Sequence, residues 1–532
     1  MPFLFRLFAG CLLAVVTLLA QTAFAENHAA AVTGFDILEY QVDGNSVLPE
    51  LAVERAVYPH LGPGLTFNDV EAARAALEKT YQDSGYLSVS VVIPEQKVAD
   101  GVVRLQVVEG AVEKLKVSGN QYTSRSQLRE QVPELAPGTV PYFPAMQAQL
   151  AELGRSPDLR VTPLLRPGKT PGKLEVELAV EDQPALHGSI ELNNRRSPDT
   201  TNQRIEASLR YDNLFQQQHS AGISYVVSPQ KTSEVNMLSG FYTLPLGKGR
   251  SLSLALLHSD SNILSSDSGV VGKGDTLGLH LSLPLPGLVT DPTFFHSVAF
   301  GFDMKDFKET QNALGADQKV SPVRYTPYTV QYTVGKLGDN SDLFGNIAFV
   351  AGLRGNSQRM VNCQGVMLDQ FECRRAGAQA NFSYFRGDLT YAHRALGWEF
   401  SVRGDFQATA APLISNEQFL AGGLDSVRGY LEGEAAGDFG WRLRTEVKTP
   451  SLLDSESTQL RGVAFVDAAS LGLQDPLPGQ IDTFNLLGAG LGVRLSAMKN
   501  LQLGVDWGHA MHAGPHTANG ENRIHVRLGA TF

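Results

Sequence analysis

Strand-length segments in which apolar and polar residues alternate fill the chain from about residue 186 to its end. The last segment divides by parity into Ile524, Val526, Leu528, Ala530 and Phe532 on one side and Arg523, His525, Arg527, Gly529 and Thr531 on the other. A period of two places these sets on opposite faces of a strand, as lipid and a wet lumen require. An edge strand of a soluble sandwich is the alternative for one segment. The repetition of the pattern favours a transmembrane β-barrel.

About sixteen such segments follow one another, an even number of the kind that bacterial barrels use. Their predicted starts lie near His187, Gln203, His219, Ser233, Ser251, Lys273, Phe295, Arg324, Phe344, Gln379, Leu396, Gly440, Leu460, Phe484, Leu501 and Asn522. A terminal phenylalanine that closes a strand of this kind is typical of outer-membrane barrels. We therefore interpret Phe532 as a C-terminal assembly signal.

The lengths of the connections between these segments support the barrel independently. Periplasmic connections should be short and outer ones long. Arg394-Ala395 and Lys499-Asn500 are predicted to be tight turns, whereas the four long connections are residues 306–322, 355–378, 411–439 and 471–483. Counted from a periplasmic N-terminal region, parity places all four long connections outside the cell. The inner connection from Leu283 to Thr293 is longer than this scheme expects.

Residues 1–25 have the organisation of a secretory signal peptide. Arg6 supplies a positive charge, an apolar run follows, and Ala23-Phe24-Ala25 is a small-residue cleavage motif. After it, no run of about 18 or more apolar residues occurs, so a transmembrane helix is not expected. Only about ten residues separate the cleavage motif from the first predicted strand. We therefore predict no plug helix, that is, no helix before that strand that could block the lumen of the barrel.

Two small α/β modules are predicted between the signal and the barrel, at residues 34–110 and 111–183. An internal repeat marks them, because a strand closed by Gly44-Asn45 recurs as a strand closed by Gly119-Asn120. In the first module Asn68 is the predicted helix N-cap. Each module reads as β-α-α-β-β, close to the smallest size that can hold a core. The barrel is predicted to occupy residues 186–532.

Composition excludes several classes of function. The chain has 532 residues and a formal net charge of -11, which argues against a general nucleic-acid binder. Serines and histidines are scattered without a nucleophile elbow, and no phosphate-binding loop or metal-ligand spacing is evident. We therefore expect no enzymatic activity, no cofactor and no metal.

Two cysteines, Cys363 and Cys373, lie ten residues apart in a polar stretch between two predicted strands. In an oxidising compartment we expect them to form one loop disulfide. A metal site is the weaker alternative, because two thiols without nearby histidines provide too few ligands.

A glycine-rich tetrapeptide in the longest predicted loop, Val427-Arg428-Gly429-Tyr430, is the main candidate for a functional motif. The guanidinium of Arg428 can form a bidentate pair with a carboxylate, and Asp467 on a later strand is a plausible partner. In a partly wet lumen such a pair would contribute on the order of 1 kcal/mol. A solvated loop arginine is the alternative reading of the motif.

Several motifs resemble those of the two-partner secretion transporters, the haemolysin and filamentous-haemagglutinin secretion/activation (ShlB/FhaC/HecB) family. The resemblance covers nearly the whole chain after the signal. In the N-terminal modules it rests on Thr66 to Val70, Gly85-Tyr86-Leu87, Val108-Glu109-Gly110, Pro157 to Val161 and Pro167 to Gly172. In the barrel it rests on Phe419 to Gly423, Ser426 to Tyr430, and Phe465-Val466-Asp467.

The resemblance implies two periplasmic polypeptide-transport-associated (POTRA) domains followed by an outer-membrane barrel that exports a large passenger protein. It implies that the loop of residues 411–439 folds into the pore and that Phe465 and Asp467 point inward to receive it. The expected partners are the secreted passenger, outer-membrane lipid and, for biogenesis, the barrel-assembly machinery and periplasmic chaperones. No nucleic-acid partner is expected.

Two other functions remain open from the sequence. An insertase of the barrel-assembly type shares the modules and the Arg-Gly loop, although two modules rather than a longer array favour secretion. A passive porin or surface-binding barrel is the second alternative. A porin needs no N-terminal modules and lacks the pairing of Arg428 with Asp467.

Overall fold

The structure, a computed structural model, describes residues 34–98, 100–198, 200–261, 272–287, 293–311, 319–363, 365–455, 457–498 and 500–532. The predicted signal peptide and the prediction about a plug helix concern residues outside these ranges. By its contacts the chain divides into two compact units, the first reaching Lys114 and including residues 134–146 and 165–176. The second unit contains the remaining described residues. Within the described ranges, no helix has the length and apolarity needed to cross a bilayer.

The first module consists of two helices packed on short strands. Its elements are β1 (Phe35–Ile37), β2 (Glu39–Asp43), α1 (Glu50–Val57), a 3₁₀ turn (Tyr58–His60), β3 (Gly62–Leu65), α2 (Phe67–Asp83), β4 (Val89–Val92) and β5 (Val102–Glu109). β2 pairs in parallel with β5, which pairs antiparallel with β4. Val70, Ala73, Leu77 and Tyr81 recur on one face of α2 and are buried in the module core.

The N-terminus of α2 differs from the prediction. Thr66, not Asn68, is the N-cap, and it forms a capping box with Asp69. The Asp69 carboxylate accepts hydrogen bonds from the backbone N–H and the hydroxyl of Thr66, each at 2.8 Å. Asn68 therefore lies inside the helix, one residue past its start. A capping box satisfies two orphan groups at once, whereas a lone asparagine satisfies one, so Thr66 prevails.

The second predicted module contains β6 (Ala111–Ser118), α3 (Arg125–Glu130), a 3₁₀ turn (Pro133–Leu135), α4 (Phe143–Leu153), β7 (Leu159–Pro167) and β8 (Lys173–Asp182). The sheet order is β6-β8-β7, which leaves β7 at an edge.

The internal repeat has one physical basis in both turns. Gly44 and Gly119 adopt φ values of +89° and +86°, and each is followed by an asparagine whose side chain bonds the backbone three residues on. A carboxylate from the end of a later strand then accepts from the turn amides. Glu109 does so in the first turn, and Asp182 does so in the second.

The second unit contains a closed antiparallel barrel. Its strands are β9 (Leu186–Asn193), β10 (Arg204–Leu214), β11 (His219–Val227), β12 (Asn236–Pro245), β13 (Ser251–Ser259), β14 (Lys273–Pro284), β15 (Phe294–Gln311), β16 (Lys319–Tyr325), β17 (Pro327–Leu337), β18 (Ser341–Gly352), β21 (Ser383–Ala395), β22 (Trp398–Ala408), β25 (Phe439–Lys448), β26 (Leu453–Ser455), β27 (Thr458–Gly472), β28 (Thr483–Ala497), β29 (Leu501–Ala510) and β30 (Asn522–Thr531). Four further strands and two helices lie in loops, namely α5 (Arg354–Ser357), β19 (Met360–Cys363), β20 (Val366–Asp369), α6 (Gln370–Arg374), β23 (Phe419–Ala421) and β24 (Ala435–Gly437).

These segments make the predicted sixteen-stranded wall. β16 and β17 both pair with β15 and follow one another along one wall strand, and β25 and β26 share β27 in the same way. The barrel closes where β30 pairs with β9, from Arg527 opposite Asn193 to Thr531 opposite Ser189. Along β22, Phe400, Val402 and Phe406 are exposed on the lipid side, whereas Asp405 and Gln407 are buried on the inner side.

The predicted strand boundaries need three corrections. The described parts of the predicted loop of residues 306–322 are strand, because β15 continues to Gln311 and pairs there with β16, which begins at Lys319. Beyond the bilayer a strand needs no lipid-facing apolar residues, so charged positions such as Lys305 and Asp306 resemble a loop. β21 begins at Ser383 rather than near Gln379, and the turn that precedes β22 consists of Leu396 and Gly397.

Candidate pore site

The loop of residues 411–439 lies inside the barrel. It connects β22 to β25, carries the short β23–β24 hairpin, and is buried along most of its length. Its tip, Val427 to Tyr430, contacts five wall strands: the side chains of Glu446 of β25, Asp467 of β27 and His525 of β30, and the backbone at Leu487 of β28 and His509 of β29. A loop with partners on five neighbouring strands occupies the lumen.

Arg428 is the central residue of this tip. Its Nε donates to Asp467 Oδ2 at 2.7 Å and its Nη2 donates to Asp467 Oδ1 at 2.9 Å, a bidentate pair. Its backbone N–H donates to the same carboxylate at 3.2 Å, and its Nη1 donates to Glu446 Oε2 at 2.7 Å. The guanidinium carbon lies 3.5 Å from the centre of the Phe465 ring, which places Phe465 as a cation–π partner.

Burial changes the expected energetics of this pair. The side chains of Arg428 and Asp467 are both 0% exposed, so they are not the partly wet pair that the sequence suggested. Removing one partner of a buried ion pair costs about 3–5 kcal/mol, because the other charge is left without compensation. Replacing one partner is therefore much more costly than in a wet lumen, although the net stabilisation by the intact pair is smaller than that cost.

The other three residues of the motif each make a different contact. Gly429 has φ of +99°, a backbone conformation that residues other than glycine rarely adopt, and its N–H donates to His525 Nε2 at 3.1 Å. The hydroxyl of Tyr430 donates at 2.8 Å to the carbonyl of His512, in the loop between β29 and β30. Val427 is fully buried in an apolar cluster with Tyr430, Leu486 and Ala510.

Further contacts fix the loop on either side of its tip. Asp425 pairs with Arg195, which follows β9, and the N–H of Glu432 donates to the carbonyl of Arg196 at 2.9 Å. The Glu434 carboxylate accepts from the backbone N–H groups of His516 and Thr517, at 2.7 and 2.8 Å. The loop is therefore anchored next to both strands that close the barrel.

At the base of the loop, Asp438 joins three outer connections. Its carboxylate pairs with Arg375, which follows α6, and accepts from the backbone N–H groups of Leu413 and Gln474 at 3.1 and 2.7 Å. Arg375 also donates to the carbonyls of Leu413 and Gln474. The structure joins Cys363 and Cys373 by a disulfide in the loop that carries α6.

Phe532 lies at the closure of the barrel. Its N–H donates to the carbonyl of Gly188, and its carbonyl accepts from the N–H of Gly188, both at 3.0 Å. Its ring lies over Gly188, because a Cβ at that glycine would overlap the ring. The side chain is 65% exposed.

One group of side chains has the composition of a metal site. Asp158, His187 and Asp212 bring their ligand atoms within 4.8 Å of one another. His187 Nε2 lies 2.9 Å from Asp158 Oδ2, and the Nε of Arg210 donates to Asp212 at 2.7 Å. Hydrogen bonds among the side chains account for these contacts, and the cationic Arg210 opposes the binding of a metal cation at Asp212.

Sequence reasoning identified Arg428, Asp467 and Phe465 but missed several of their partners. Glu446 shares the inner-face parity of Arg442 and Arg444 on β25, so strand parity could have pointed to it. His525 was recognised as an inner-face residue, but its contact with Gly429 spans 96 residues of sequence. No local signal indicates that contact.

These features define an outer-membrane β-barrel protein with periplasmic POTRA modules and a loop folded into its lumen. Residues 172–495 match the family model of the haemolysin secretion/activation proteins ShlB/FhaC/HecB, and residues 35–110 match the ShlB-type POTRA domain. The chain belongs to the ShlB/FhaC/HecB family.

Individual proteins are similar to this chain over part or most of its length. The chain is 29% identical over 135 residues to the outer membrane transporter CdiB of Dickeya dadantii, an alignment that covers 25% of this chain and 24% of that protein. It is 20% identical over 417 residues to the heme/hemopexin transporter protein HuxB of Haemophilus influenzae, covering 73% and 67%. The structure of CdiB from Escherichia coli matches with a TM-score of 0.63 at 18% identity, covering 97% of this chain and 93% of that one.

Proposed function

We propose that this protein exports a large partner protein from the periplasm to the cell surface through its barrel. The observation that carries the proposal is the loop held in the lumen by the buried pair of Arg428 and Asp467. A passive pore needs no such obstruction, whereas a protein translocator must close its pore when it is idle. Family membership supports the same class of function.

The transported chain is proposed to enter through the modules of residues 34–110 and 111–183, before the barrel of residues 186–532. β4 lies at an edge of the β2-β5-β4 sheet and β7 lies at an edge of the β6-β8-β7 sheet. An extended chain can add a strand to such an edge through main-chain hydrogen bonds, which tolerate many sequences. Capture of an unfolded passenger follows from this tolerance.

The loop of residues 411–439 is proposed to be the gate, with Val427, Arg428, Gly429 and Tyr430 as its tip and Phe465 and Asp467 as its receptor. Phe532 is proposed to serve as the assembly signal that the barrel-assembly machinery recognises after periplasmic chaperones deliver the chain. The disulfide of Cys363 and Cys373 is proposed to stabilise an outer loop. We propose no cofactor, no nucleic-acid partner and no catalytic activity.

A clean deletion tests the proposed function. Delivery of a large protein to the cell surface or the medium should be lost, and the level of other outer-membrane barrels should be unchanged. A general loss of other barrels would instead indicate an insertase. Normal secretion with normal barrels would leave a passive porin as the better account.

A further inference from the structure

The tip of the pore loop rests on backbone, not on side chains, where it meets β28 and β29. A Cβ at Gly488 of β28 would overlap the carbonyl oxygen of Arg428. A Cβ at Gly508 of β29 would lie 2.6 Å from the nitrogen of Gly429 and 2.9 Å from its Cα. Real Cβ contacts essentially never come below 3.0 Å, so neither position tolerates a side chain while the tip is in place.

The third support comes from the last strand. His525 of β30 is 5% exposed, and its Nε2 lies 3.1 Å from the backbone nitrogen of Gly429. A backbone N–H can only donate, so Nε2 must accept and the imidazole proton must be on Nδ1. His525 therefore acts as an acceptor aimed at one backbone amide of the tip.

We infer that Gly488, Gly508 and His525 form a seat that positions the tip of the pore loop. The two glycines let the loop backbone approach the wall closely, and the hydrogen bond to His525 fixes the position of Gly429 on the wall. Once the tip is seated, Arg428 reaches Asp467 and Glu446 with both ends of its guanidinium. The gating role of this seat rests on the proposed function, whereas the position of the tip against these three residues does not.

The seat explains the register of the loop tip against the wall, which ion pairing alone does not. The hydrogen bonds of Arg428 orient its guanidinium on Asp467 and Glu446, but they do not fix the backbone of the tip against β28, β29 and β30. The backbone contacts at Gly488 and Gly508 and the hydrogen bond to His525 are directional and short. They select one register of the loop against three adjacent strands, β28, β29 and β30.

A thiol-accessibility measurement tests the seat. Ser426, next to the tip, is 1% exposed, so a cysteine placed there by Ser426→Cys should react slowly with a small thiol reagent in the full-length, membrane-inserted protein. Adding Gly488→Ala or Gly508→Ala should speed the reaction at this position by about tenfold or more. The matched control is Gly404→Ala on β22, where the nearest atom to an added Cβ is 4.0 Å away.

His525 provides a second, independent variant. His525→Leu removes the acceptor at similar size and should speed the labelling, whereas His525→Gln keeps an acceptor oxygen and should restore slow labelling. Heat-modifiable gel mobility confirms that each variant is a folded barrel. If labelling stays slow in Gly508→Ala and in His525→Leu, the seat is wrong.

Channel conductance separates the seat from the gate. In the seat variants, faster labelling together with raised conductance supports both the seat and the gating function. Faster labelling with unchanged conductance and normal export would keep the seat and contradict the proposed gating function. Slow labelling in the seat variants, with raised conductance in Arg428→Ala, would overturn the seat and keep the gate.

Discussion

At the scale of single residues, burial determines how the pore loop is held. Arg428, whose side chain is fully buried, meets the carboxylates of Asp467 and Glu446 and the ring of Phe465, and the carboxylate of Asp506 lies 4.0 Å away. Desolvation makes such a group costly by itself, and the surrounding hydrogen bonds offset that cost only while all partners are present. The arrangement is therefore sensitive to the loss of any one member.

We expect Arg428→Ala to destabilise the inserted protein more than the double variant Arg428→Ala with Asp467→Asn. The single change leaves the buried Asp467 carboxylate uncompensated, at a cost of about 3–5 kcal/mol, and the second change removes that charge. The midpoint temperature of the heat-modifiable gel shift measures the difference. Arg461→Ala, at a more exposed lumen arginine whose carboxylate partner lies at 3.8 Å, is the control and should have little effect. Additive effects of the two changes would contradict a coupled buried pair.

A second residue-scale prediction concerns the turn amides of the second module. Burial works to raise the pKa of Asp182, but hydrogen bonds from the backbone N–H groups of Gln121, Thr123 and Tyr122 outweigh it and lower that pKa. A carboxylate with a lowered folded-state pKa stabilises the fold above its unfolded-state pKa of about 3.9, and this contribution is lost as pH falls through the folded-state value.

Hydrogen-exchange protection of these three amides should therefore persist below pH 4 and be lost only at lower pH. Asp182→Asn should weaken protection at neutral pH and remove its dependence on acid. The Glu109-bound amides of Ser46 and Val47 in the first turn are the internal reference. Unchanged protection in Asp182→Asn would show that the carboxylate does not hold this turn.

At the scale of elements, the outer loops act together through one carboxylate. Asp438 immediately precedes β25 and is fully buried. Its carboxylate links the loop of α6, the pore loop and the connection from β27 to β28. Phe371 of α6 is buried among Tyr325, Phe382 and Tyr384. The disulfide ties the end of β19 to α6, which follows the β19–β20 hairpin.

Replacing both cysteines, Cys363→Ser with Cys373→Ser, should loosen this outer loop without disturbing the barrel wall. Closing a loop of this length stabilises a fold by about 3 kcal/mol in the chain-entropy model. Trypsin added to intact cells should then cleave after Arg374 or Arg375, which are buried and half-buried in the native loop. Cleavage after the exposed Arg354 and Arg359 serves as the reference. Equal resistance at Arg374 and Arg375 in both proteins would contradict a supporting role for the disulfide.

The sequence predicted the wall better than the loops, for a physical reason. Period-two alternation is imposed by lipid on every wall strand, so the faces of β22 and β30 could be predicted residue by residue. Outside the bilayer that constraint ends, and the paired part of β15 and β16 has the polar sequence pattern of a loop. Arg428 and Asp467 were identifiable from family motifs, whereas Gly488, Gly508 and Asp438 depend on the three-dimensional approach of segments far apart in sequence.

At the scale of the whole molecule, the barrel wall is closed by its own strands. β30 pairs with β9, so within the described residues the wall strands pair with one another and not with strands of the N-terminal modules. Each module contributes its own sheet with an edge strand. We propose that the modules capture the passenger and that the barrel is its path across the membrane.

Deletion of residues 35–183 should therefore leave a barrel that inserts and shifts on heating, but that exports no passenger. Passenger recovered from culture medium, surface and periplasm measures export, and wild type expressed at the matched level is the control. Export at the wild-type level from an inserted, truncated barrel would rule out capture by the modules.

The most direct test of the central claim is export by the Arg428→Ala variant, measured as surface-delivered passenger per inserted barrel. We predict that the barrel inserts normally and that export falls at least tenfold, with the passenger trapped or degraded in the periplasm, because the loop loses its fixed position in the lumen. Export at the wild-type level from a normally inserted Arg428→Ala barrel would contradict the claim that the buried pair of Arg428 and Asp467 positions a gate.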